Sequence, residues 1–471
     1  MSDHTLTPAG SPKRASPELS LDRRLGPLDA AAIVVSNVIG GGIFFVPIII
    51  AALVPSPGLM IGVWLAGGAL AFAGAMAYAE LAALRPLAGG EYVYLREAYG
   101  RLPAFLTGWT SFVAGFSGAI AASAVALADY VGRFAPGASD TTPLLTIPLP
   151  WSPLIVSPRA IVALAAIAAL SAVHIRGLGP GRLVQNLLAA LKVSFLLFFI
   201  AAGFSVGRGS FQPAAEGASV AATGWLLALV PVMFSYSGWN AAAYVAEEVR
   251  QPGRNVPLAL GLGTVAVVLI YVALNLLYLY AMPIADLAGL EGGRLVDTAA
   301  ERLFGFVAGN VLAIFTIISI AASISAMVLA GPRVYYAMAR DGLFLQAAEK
   351  IHPQYRSPAI AIAAQAIWSG GLVLSGTLSQ LVAYTGFAVI LFSAIAVSAV
   401  FVLRWRHPGE ARPFRAWGYP FAPGIFVIAS FVIVANEIWK NPGTSAAGLA
   451  IIGLGIPIYF LFGLRRSGRQ A

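Results

Sequence analysis

Apolar segments long enough to cross a bilayer recur along this chain, with short polar segments between them. A transmembrane helix needs about 20 mostly apolar residues. The pattern predicts an all-α, polytopic membrane protein with twelve transmembrane helices, near residues 28–50, 59–84, 102–132, 159–175, 181–207, 221–247, 256–282, 306–336, 358–375, 379–403, 419–438 and 446–464. We expect residues 1–24, which are polar and rich in Ser and Pro, to form a mobile tail with no cleaved signal peptide.

Two of the predicted helices are interrupted near their middle. The first contains three consecutive glycines, Gly40, Gly41 and Gly42, and glycine costs a helix about 1 kcal/mol relative to alanine. The sixth contains the polar run Ser235–Asn240. Glycine in a membrane helix often marks only a close-packing face. Two interruptions at matching depth instead favour broken helices that line a binding cavity.

The spacing of the two interruptions indicates an internal repeat. They lie five spans apart, and an odd number of spans reverses the orientation of the second half in the membrane. Paired broken helices in corresponding positions are typical of secondary transporters. We therefore predict a first inverted repeat over 25–207, a second over 208–403, and two further helices with the C-terminus in 404–471.

The composition narrows the function. Only 10% of residues are charged, against about 25% in soluble domains, and there is no cysteine. Disulfides, thiol catalysis and cysteine-ligated metals are therefore excluded. The four histidines are scattered, so we expect no metal site, no cofactor and no enzymatic activity. A channel would need a continuous polar pore, which the pattern does not show.

The positive charge follows the predicted topology. The net charge is +9, but its distribution argues against nucleic-acid binding. If the N-terminus is cytoplasmic, only six of the 29 basic residues fall in external loops: Arg133, Arg159, Arg208, Arg294, Arg302 and Lys440. Lys192 lies within a span and is counted on neither side. This asymmetry predicts cytoplasmic termini in the plasma membrane.

Four stretches resemble a known family. I-G-G-G-I-F at the first break resembles the first-helix motif of the amino acid–polyamine–organocation superfamily. The run that begins F-S-Y-S-G-W-N, from Phe234, resembles the sixth helix of its L-type amino acid transporter branch. Residues 89–100 and 332–344 are similar to the branch's loop after the second helix and the end of its eighth helix.

The resemblance implies the five-plus-five inverted-repeat, LeuT-like fold and transport of amino acids by alternating access. Gly41 departs from the family's usual Ser, and Ser237 stands where the branch often has Gly. Animal members bind a glycoprotein partner through a cysteine. Because this chain has none, we expect a prokaryotic protein without a disulfide-linked heavy chain, present as a monomer or weak oligomer.

The breaks themselves offer a site for a zwitterion. Free N–H groups at Gly40, Gly41 and Gly42 would face a substrate carboxylate. Exposed carbonyls would face the amino group, from Val38, Ile39, Phe234, Ser235 and Tyr236. The side chain of the substrate would be surrounded by Asn37, Phe234, Ser237, Gly238, Trp239 and Asn240, with Phe234 as the gate. It would lie beside a face of small residues on the third span, formed by Gly115, Gly118 and Ala122.

The side chains of this region favour a neutral amino acid. Glu80, Asp129, Glu247 and Glu248 lie toward helix ends, where we expect capping or loop contacts. No acidic residue is predicted at mid-membrane depth to hold a cationic substrate.

Lys192 is the one basic residue deep within a predicted span, and such residues are functional candidates. The resemblance implies that its ammonium replaces the sodium ion of related transporters, with Ser319 and Ser323 as neighbours. A permanent charge would predict sodium-independent exchange, whereas a titrating lysine would predict proton symport. A sensor that binds amino acids without transport remains a third interpretation.

Overall fold

The first predicted helix is divided in the computed structural model, which describes residues 21–40, 42–149, 153–211, 222–290, 295–305, 308–375 and 378–467. Helix α1 spans Pro27–Val38, and a short 3₁₀ turn, Gly42–Phe44, leads into α2 over Val46–Leu53. Pro27 begins α1, and Asp29 accepts the Gly26 N–H at 2.7 Å. The glycines that follow Val38 end the helix.

The next elements are a long helix, a short helix and a helix with a π-helical turn. Helix α3 spans Pro57–Leu84, α4 spans Glu91–Tyr99, and α5 (Arg101–Thr110) joins α6 (Phe116–Val131) through π-helical residues Ser111–Gly115. Two strands, β1 (Leu145–Ile147) and β2 (Leu154–Val156), pair antiparallel, with Leu145 opposite Val156. Helices α7 (Pro158–Ile175) and α8 (Leu178–Val206) follow.

The second half begins with the other divided helix. Helix α9 spans Ala222–Tyr236, and α10 (Ala241–Tyr244) continues after a turn in which Gly238 has φ +99°. The remaining helices are α11 (Pro252–Ala281), α12 (Ile284–Ala288), α13 (Leu295–Phe304), α14 (Ala308–Arg340), α15 (Ala359–Ser375), α16 (Leu378–Arg406), α17 (Phe421–Lys440) and α18 (Pro442–Ser467).

Within the described ranges, nine helices are long and apolar enough to cross a membrane. They coincide with nine of the predicted spans. The predicted spans at 28–50, 221–247 and 358–375 contain shorter apolar helices, Pro27–Val38, Gly224–Tyr236 and Ala359–Ser375. The chain is therefore a multi-pass, mostly helical membrane protein, as expected, although the strands β1 and β2 depart from a purely α-helical architecture.

The divided helices lie at the centre of the bundle. Helix α1 packs against α8, α10, α11 and α14, and α9 packs against α2 and α3. Buried side chains from these helices form one continuous apolar cluster. The backbone of Leu25 also pairs with the segment after α10, because its N–H donates to Glu248 O and its carbonyl accepts from Arg250 N, each at 2.9 Å. The inner parts of the two broken helices are thereby joined.

Candidate functional site

The two helix breaks face each other. The Asn37 amide donates to the Gly238 carbonyl at 3.4 Å. A Cβ added to Gly42 would lie 2.9 Å from the Ser235 hydroxyl oxygen, and one added to Gly238 would lie 2.6 Å from the Asn37 amide nitrogen. Contacts this short leave no room for a side chain. The positive φ of Gly238 is a second reason for glycine at that position.

Tyr271 of α11 ties the breaks together. Its hydroxyl lies 2.8 Å from the Val38 carbonyl and 3.0 Å from the Ser235 carbonyl. Its ring packs edge-on against Trp64, with 5.5 Å between centroids, and Trp64 also contacts Tyr236. Sequence reasoning missed Tyr271, because a Tyr in an apolar helix gives no local signal of what its hydroxyl reaches.

Some of the backbone N–H and carbonyl groups predicted to bind a substrate already form hydrogen bonds within the protein. The Gly40 N–H donates to Val38 O at 2.7 Å, and the Ser237 N–H donates to Phe234 O at 3.0 Å. Gly42 begins the 3₁₀ turn, where a helix leaves its first N–H groups without internal acceptors. Gly41 lies outside the described residues.

Several residues at the breaks keep partial solvent access although their neighbours are fully enclosed. Half-buried positions include Asn37, Gly40, Gly42, Phe234, Ser237 and Gly238. On α6, Gly118 is buried, yet a Cβ there would meet nothing within 4 Å. Open space therefore adjoins the third span where the small-residue face was predicted.

Two predicted pocket residues point elsewhere. The Trp239 ring packs against Tyr78 at 4.9 Å and Phe426 at 5.6 Å between centroids, so it fills the space between α3 and α17. The Asn240 amide donates to Tyr244 at 3.0 Å and to Glu91 at 3.5 Å. This differs from the predicted pocket wall, because the turn at Gly238 redirects the residues that follow it.

Lys192 is 1% exposed and joins α8 to the end of α1. Its ammonium donates to Ile39 O at 2.5 Å, to Ser36 O at 3.2 Å and to the Ser323 hydroxyl at 3.0 Å. The Ser323 hydroxyl also lies 2.9 Å from Ser36 O and 3.0 Å from Ile39 O. No acidic residue forms an ion pair with Lys192 within the part of the chain that the structure describes. Backbone carbonyls and one hydroxyl therefore compensate the buried charge.

Ser319 lies near Lys192 but does not bind it. The Ser319 carbonyl accepts from Ser323 at 3.2 Å, whereas its hydroxyl has no hydrogen-bond partner among the described residues. Both Lys192 and Ser319 line a small cavity, together with Phe44 and Thr316. Of the two serines predicted beside the ammonium, Ser323 alone has a hydroxyl in contact with it.

The acidic residues near helix ends pair with arginines. Glu80 binds Arg404 at 2.6 Å and Arg412 at 3.2 Å, and buried Glu248 binds Arg333 through both carboxylate oxygens at 2.8 and 2.9 Å. Asp129 lies 3.6 Å from Arg159, and Glu247 lies 3.6 Å from Arg340. The expected loop contacts are present for Glu80 and Glu247, which accept hydrogen bonds from the Ala416 and Ala88 N–H groups, whereas Glu248 instead pairs with Arg333 of α14 inside the bundle.

Two internally broken, apolar helices with their breaks in contact, and a buried lysine beside one of them, are typical of membrane transporters. Residues 25–462 match the family model described as amino acid permease. The chain belongs to this family, within the amino acid–polyamine–organocation superfamily, and the resemblance found in the sequence is confirmed. It is a membrane transport protein for amino acids and not an enzyme.

Curated relatives match nearly end to end. The chain is 30% identical over 444 residues to the serine/threonine exchanger of Bacillus subtilis, covering 93% of this chain and 97% of that protein. It is 29% identical over 450 residues to the b(0,+)-type amino acid transporter 1 of Mus musculus, covering 94% and 88%. It is 28% identical over 468 residues to the large neutral amino acids transporter small subunit 2 of Homo sapiens, covering 96% and 84%.

Proposed function

We propose that this protein carries neutral L-amino acids across the plasma membrane by alternating access, as a sodium-independent exchanger with both termini in the cytoplasm. The proposal includes twelve transmembrane helices, with inverted repeats over 25–207 and 208–403 and the last two helices in 404–471. Support comes from the breaks after Val38 and Tyr236, five predicted spans apart and in contact through Asn37 and Gly238.

The proposal that transport is independent of sodium is based on the contact between Lys192 and the end of α1. A cation at this place holds the Ile39 and Ser36 carbonyls as a bound ion would, from a fixed point on α8. Ser323 adds a link to α14. Because the protein supplies the charge itself, substrate binding needs no sodium ion. Without a coupled ion gradient, only amino acid gradients drive the flux, and we propose that transport proceeds by exchange of one amino acid for another.

The substrate carboxylate is proposed to bind at the start of the outer half of the first broken helix. Gly42 opens that half, and its missing side chain lets a carboxylate approach the backbone. Gly40 and Gly41 form the bend that precedes it. Because the Gly40 N–H already donates to Val38, Gly42 is the glycine on which this part of the proposal rests.

The substrate amino group is proposed to bind carbonyls at the end of α1 and α9. The Phe234 carbonyl accepts from the Ser237 N–H and the Ser235 carbonyl from the Tyr271 hydroxyl, and a carbonyl oxygen has a second lone pair. Val38 already has two donors in reach, the Gly40 N–H and the Tyr271 hydroxyl. Ile39 has Lys192 and Ser323, so the proposal rests on the α9 carbonyls more than on those at the end of α1. Tyr236, the last residue of α9, adds a carbonyl at the helix end, where internal donors are lacking.

The substrate side chain is proposed to enter the open space beside Gly118. Phe234, Ser237 and Asn37 are half-buried at the breaks, and Phe234 is proposed as the gate. The preference for a neutral substrate follows from the charges, because the acidic residues at the helix ends already pair with arginines. Among the described residues, Glu91 has no cation, but its oxygens are already engaged by Tyr78, Thr107 and Asn240.

The proposal is tested in two stages. Purified protein is first screened by thermal shift against the twenty amino acids, where a ligand at 100 times its dissociation constant stabilises by about 2.7 kcal/mol. The best ligand is then used in proteoliposomes without sodium. Labelled amino acid should accumulate only in vesicles preloaded with unlabelled amino acid.

The same assays distinguish the alternatives. Uptake that follows a pH gradient without preload would replace exchange by proton symport. Binding without any flux would favour an amino acid sensor. A requirement for sodium would remove the proposed role of Lys192.

A further inference from the structure

Glu91, the first residue of α4, is a buried carboxyl group that the transport site does not use. It is 9% exposed and lies where α4 meets α3, α5 and α10. Its oxygens accept hydrogen bonds from Tyr78 of α3 at 2.8 Å, Thr107 of α5 at 3.3 Å, and Asn240 at 3.5 Å. Asn240 also donates to the Tyr244 hydroxyl at 3.0 Å.

No cation balances this carboxyl group. Within the described ranges Glu91 forms no salt bridge, and the titratable groups that face it are the phenols of Tyr78, Tyr94 and Tyr244. The nearby arginines pair with other carboxylates. Arg96 on the same helix binds Asp341 at 2.5 Å, Arg404 binds Glu80 at 2.6 Å, Arg85 binds Glu97 at 2.6 Å, and Arg333 binds Glu248 at 2.8 Å.

The surroundings satisfy Glu91 in either protonation state. Burial raises the pKa of Glu91, and the hydrogen bonds from Tyr78 and Thr107 only partly oppose that shift. When the carboxylate is charged, these hydroxyls donate to it. When the carboxyl group is protonated, a neighbouring hydroxyl can rotate and accept a hydrogen bond from its O–H, because hydroxyls both donate and accept hydrogen bonds.

Glu91 is also attached to the inner half of the second broken helix. The Gly89 N–H donates to the Tyr244 carbonyl at 3.1 Å, and the Ala88 N–H donates to the Glu247 carboxylate at 3.0 Å. Asn240 then links Glu91 directly to the turn that follows Gly238. If the segment 240–247 moves away from α4 during transport, Glu91 loses Asn240 and opens to water on that side, while the Tyr78 and Thr107 hydroxyls remain to stabilise the charged carboxylate.

We propose that Glu91 is a proton-binding site, occupied while α10 is docked on α4 and released when α10 moves away. This inference rests on the proposed transport function: in the exchanger, a proton binds and leaves with each substrate in both directions, so no proton gradient drives the exchange. Substrate held by the breaks keeps Asn240 and α10 in place, so substrate and proton favour the same state. By linkage each raises the affinity of the other by the same factor.

The proton site can be tested without any substrate. Infrared difference spectra of the purified protein between about pH 5 and about pH 9 report the C=O stretch of a protonated carboxyl group. We expect a band that disappears as the pH rises, is missing in Glu91→Gln, and is retained in Glu97→Gln. Glu97 is the matched control, because it lies on the same helix but pairs with Arg85. A band unchanged in Glu91→Gln would overturn the assignment.

A second variant covers the case in which Glu91→Gln fails to fold. Tyr78→Phe removes a donor that stabilises the charged carboxylate, so the band should persist to higher pH than in the wild type. An unmoved midpoint would overturn the role of Glu91.

The coupling is tested with L-threonine and L-leucine as probes. Their affinity for the wild type should fall by up to about tenfold per pH unit above the midpoint of the band, because binding then requires proton uptake. Glu91→Gln should flatten this dependence. Flat wild-type affinities would overturn the coupling, whereas failure of both probes to bind, with the band intact, would count against the transport proposal and leave the proton site supported.

Discussion

The Lys192 ammonium lies 2.5 Å from the carbonyl oxygen of Ile39, the residue at which helix α1 gives way to the glycines. This contact joins α8 to the broken helix without a counter-ion from an acidic side chain in the described ranges. It connects a deeply buried lysine to the backbone carbonyls at the end of α1. Substitution at either end should therefore affect substrate binding before it affects the fold.

Lys192→Ala should lower the initial rate of exchange in proteoliposomes by about tenfold to a hundredfold, because hydrogen bonds to a charged group contribute about 1.5–3 kcal/mol. Expression should change far less, and sodium should not restore transport. Gln185→Ala is the matched control, since Gln185 is buried on the same helix and its side chain has no hydrogen-bond partner among the described residues. Equal rates for the wild type and Lys192→Ala would refute the ion-substitute role.

Tyr271→Phe should weaken substrate binding. It removes the hydroxyl shared by Val38 and Ser235 and leaves two buried carbonyls with one fewer donor, at a cost of about 1–3 kcal/mol. Thermal-shift titration measures the change in affinity. Tyr278→Phe on the same helix is the control, because the Tyr278 hydroxyl is buried without a partner in the described chain. If both variants behave alike, Tyr271 is only a packing residue.

Gly238→Ala should abolish binding while the protein still inserts. The added Cβ would lie 2.6 Å from the Asn37 amide nitrogen, and φ +99° disfavours any side chain, at about 1–3 kcal/mol for such backbone strain. Gly179→Ala is the control, because a Cβ there meets nothing within 4 Å. Gly42→Leu should have the same effect through Ser235. If Gly238→Ala or Gly42→Leu binds substrate with wild-type affinity, the substituted glycine serves only helix packing.

Gly118 offers a test of the side-chain pocket. Gly118→Ala enters open space and should preserve binding of small amino acids, whereas Gly118→Leu fills that space. We expect Gly118→Leu to lose large neutral substrates selectively, by about ten- to hundredfold for each lost buried contact of about 1–3 kcal/mol. The ratio of affinities for L-leucine and L-alanine measures this selectivity. A uniform loss for both would place the pocket elsewhere.

The Glu248–Arg333 pair should govern stability rather than selectivity. Both side chains are enclosed, with exposures of 0% and 2%, so Arg333→Met leaves a buried carboxylate without its cation. Breaking a buried pair in this way costs about 3–5 kcal/mol. The thermal midpoint in detergent should fall markedly in Arg333→Met and partly recover in the double variant Arg333→Met/Glu248→Gln. A double variant as unstable as the single one would mean that lost packing, rather than the unpaired charge, is responsible.

The sequence by itself determined the class of protein, the helices and the positions of both breaks. Helix length and apolar content are local properties, and so is the cost of three consecutive glycines. The depth of Lys192 within a span was also readable, because it follows from counting residues along a helix. The family motifs then supplied the arrangement in which a lysine at this position meets the first helix.

Only the tertiary structure decided where the side chains around the breaks point. Trp239 and Asn240 turn away toward Tyr78 and Glu91, since the backbone changes direction at Gly238. Tyr271 and Glu91 reach the breaks from elements distant in sequence, and no local pattern records such a contact. The burial of a carboxyl group or a hydroxyl depends on which helices pack around it. Its contribution to stability and binding is therefore set by the assembled bundle and not by the local sequence.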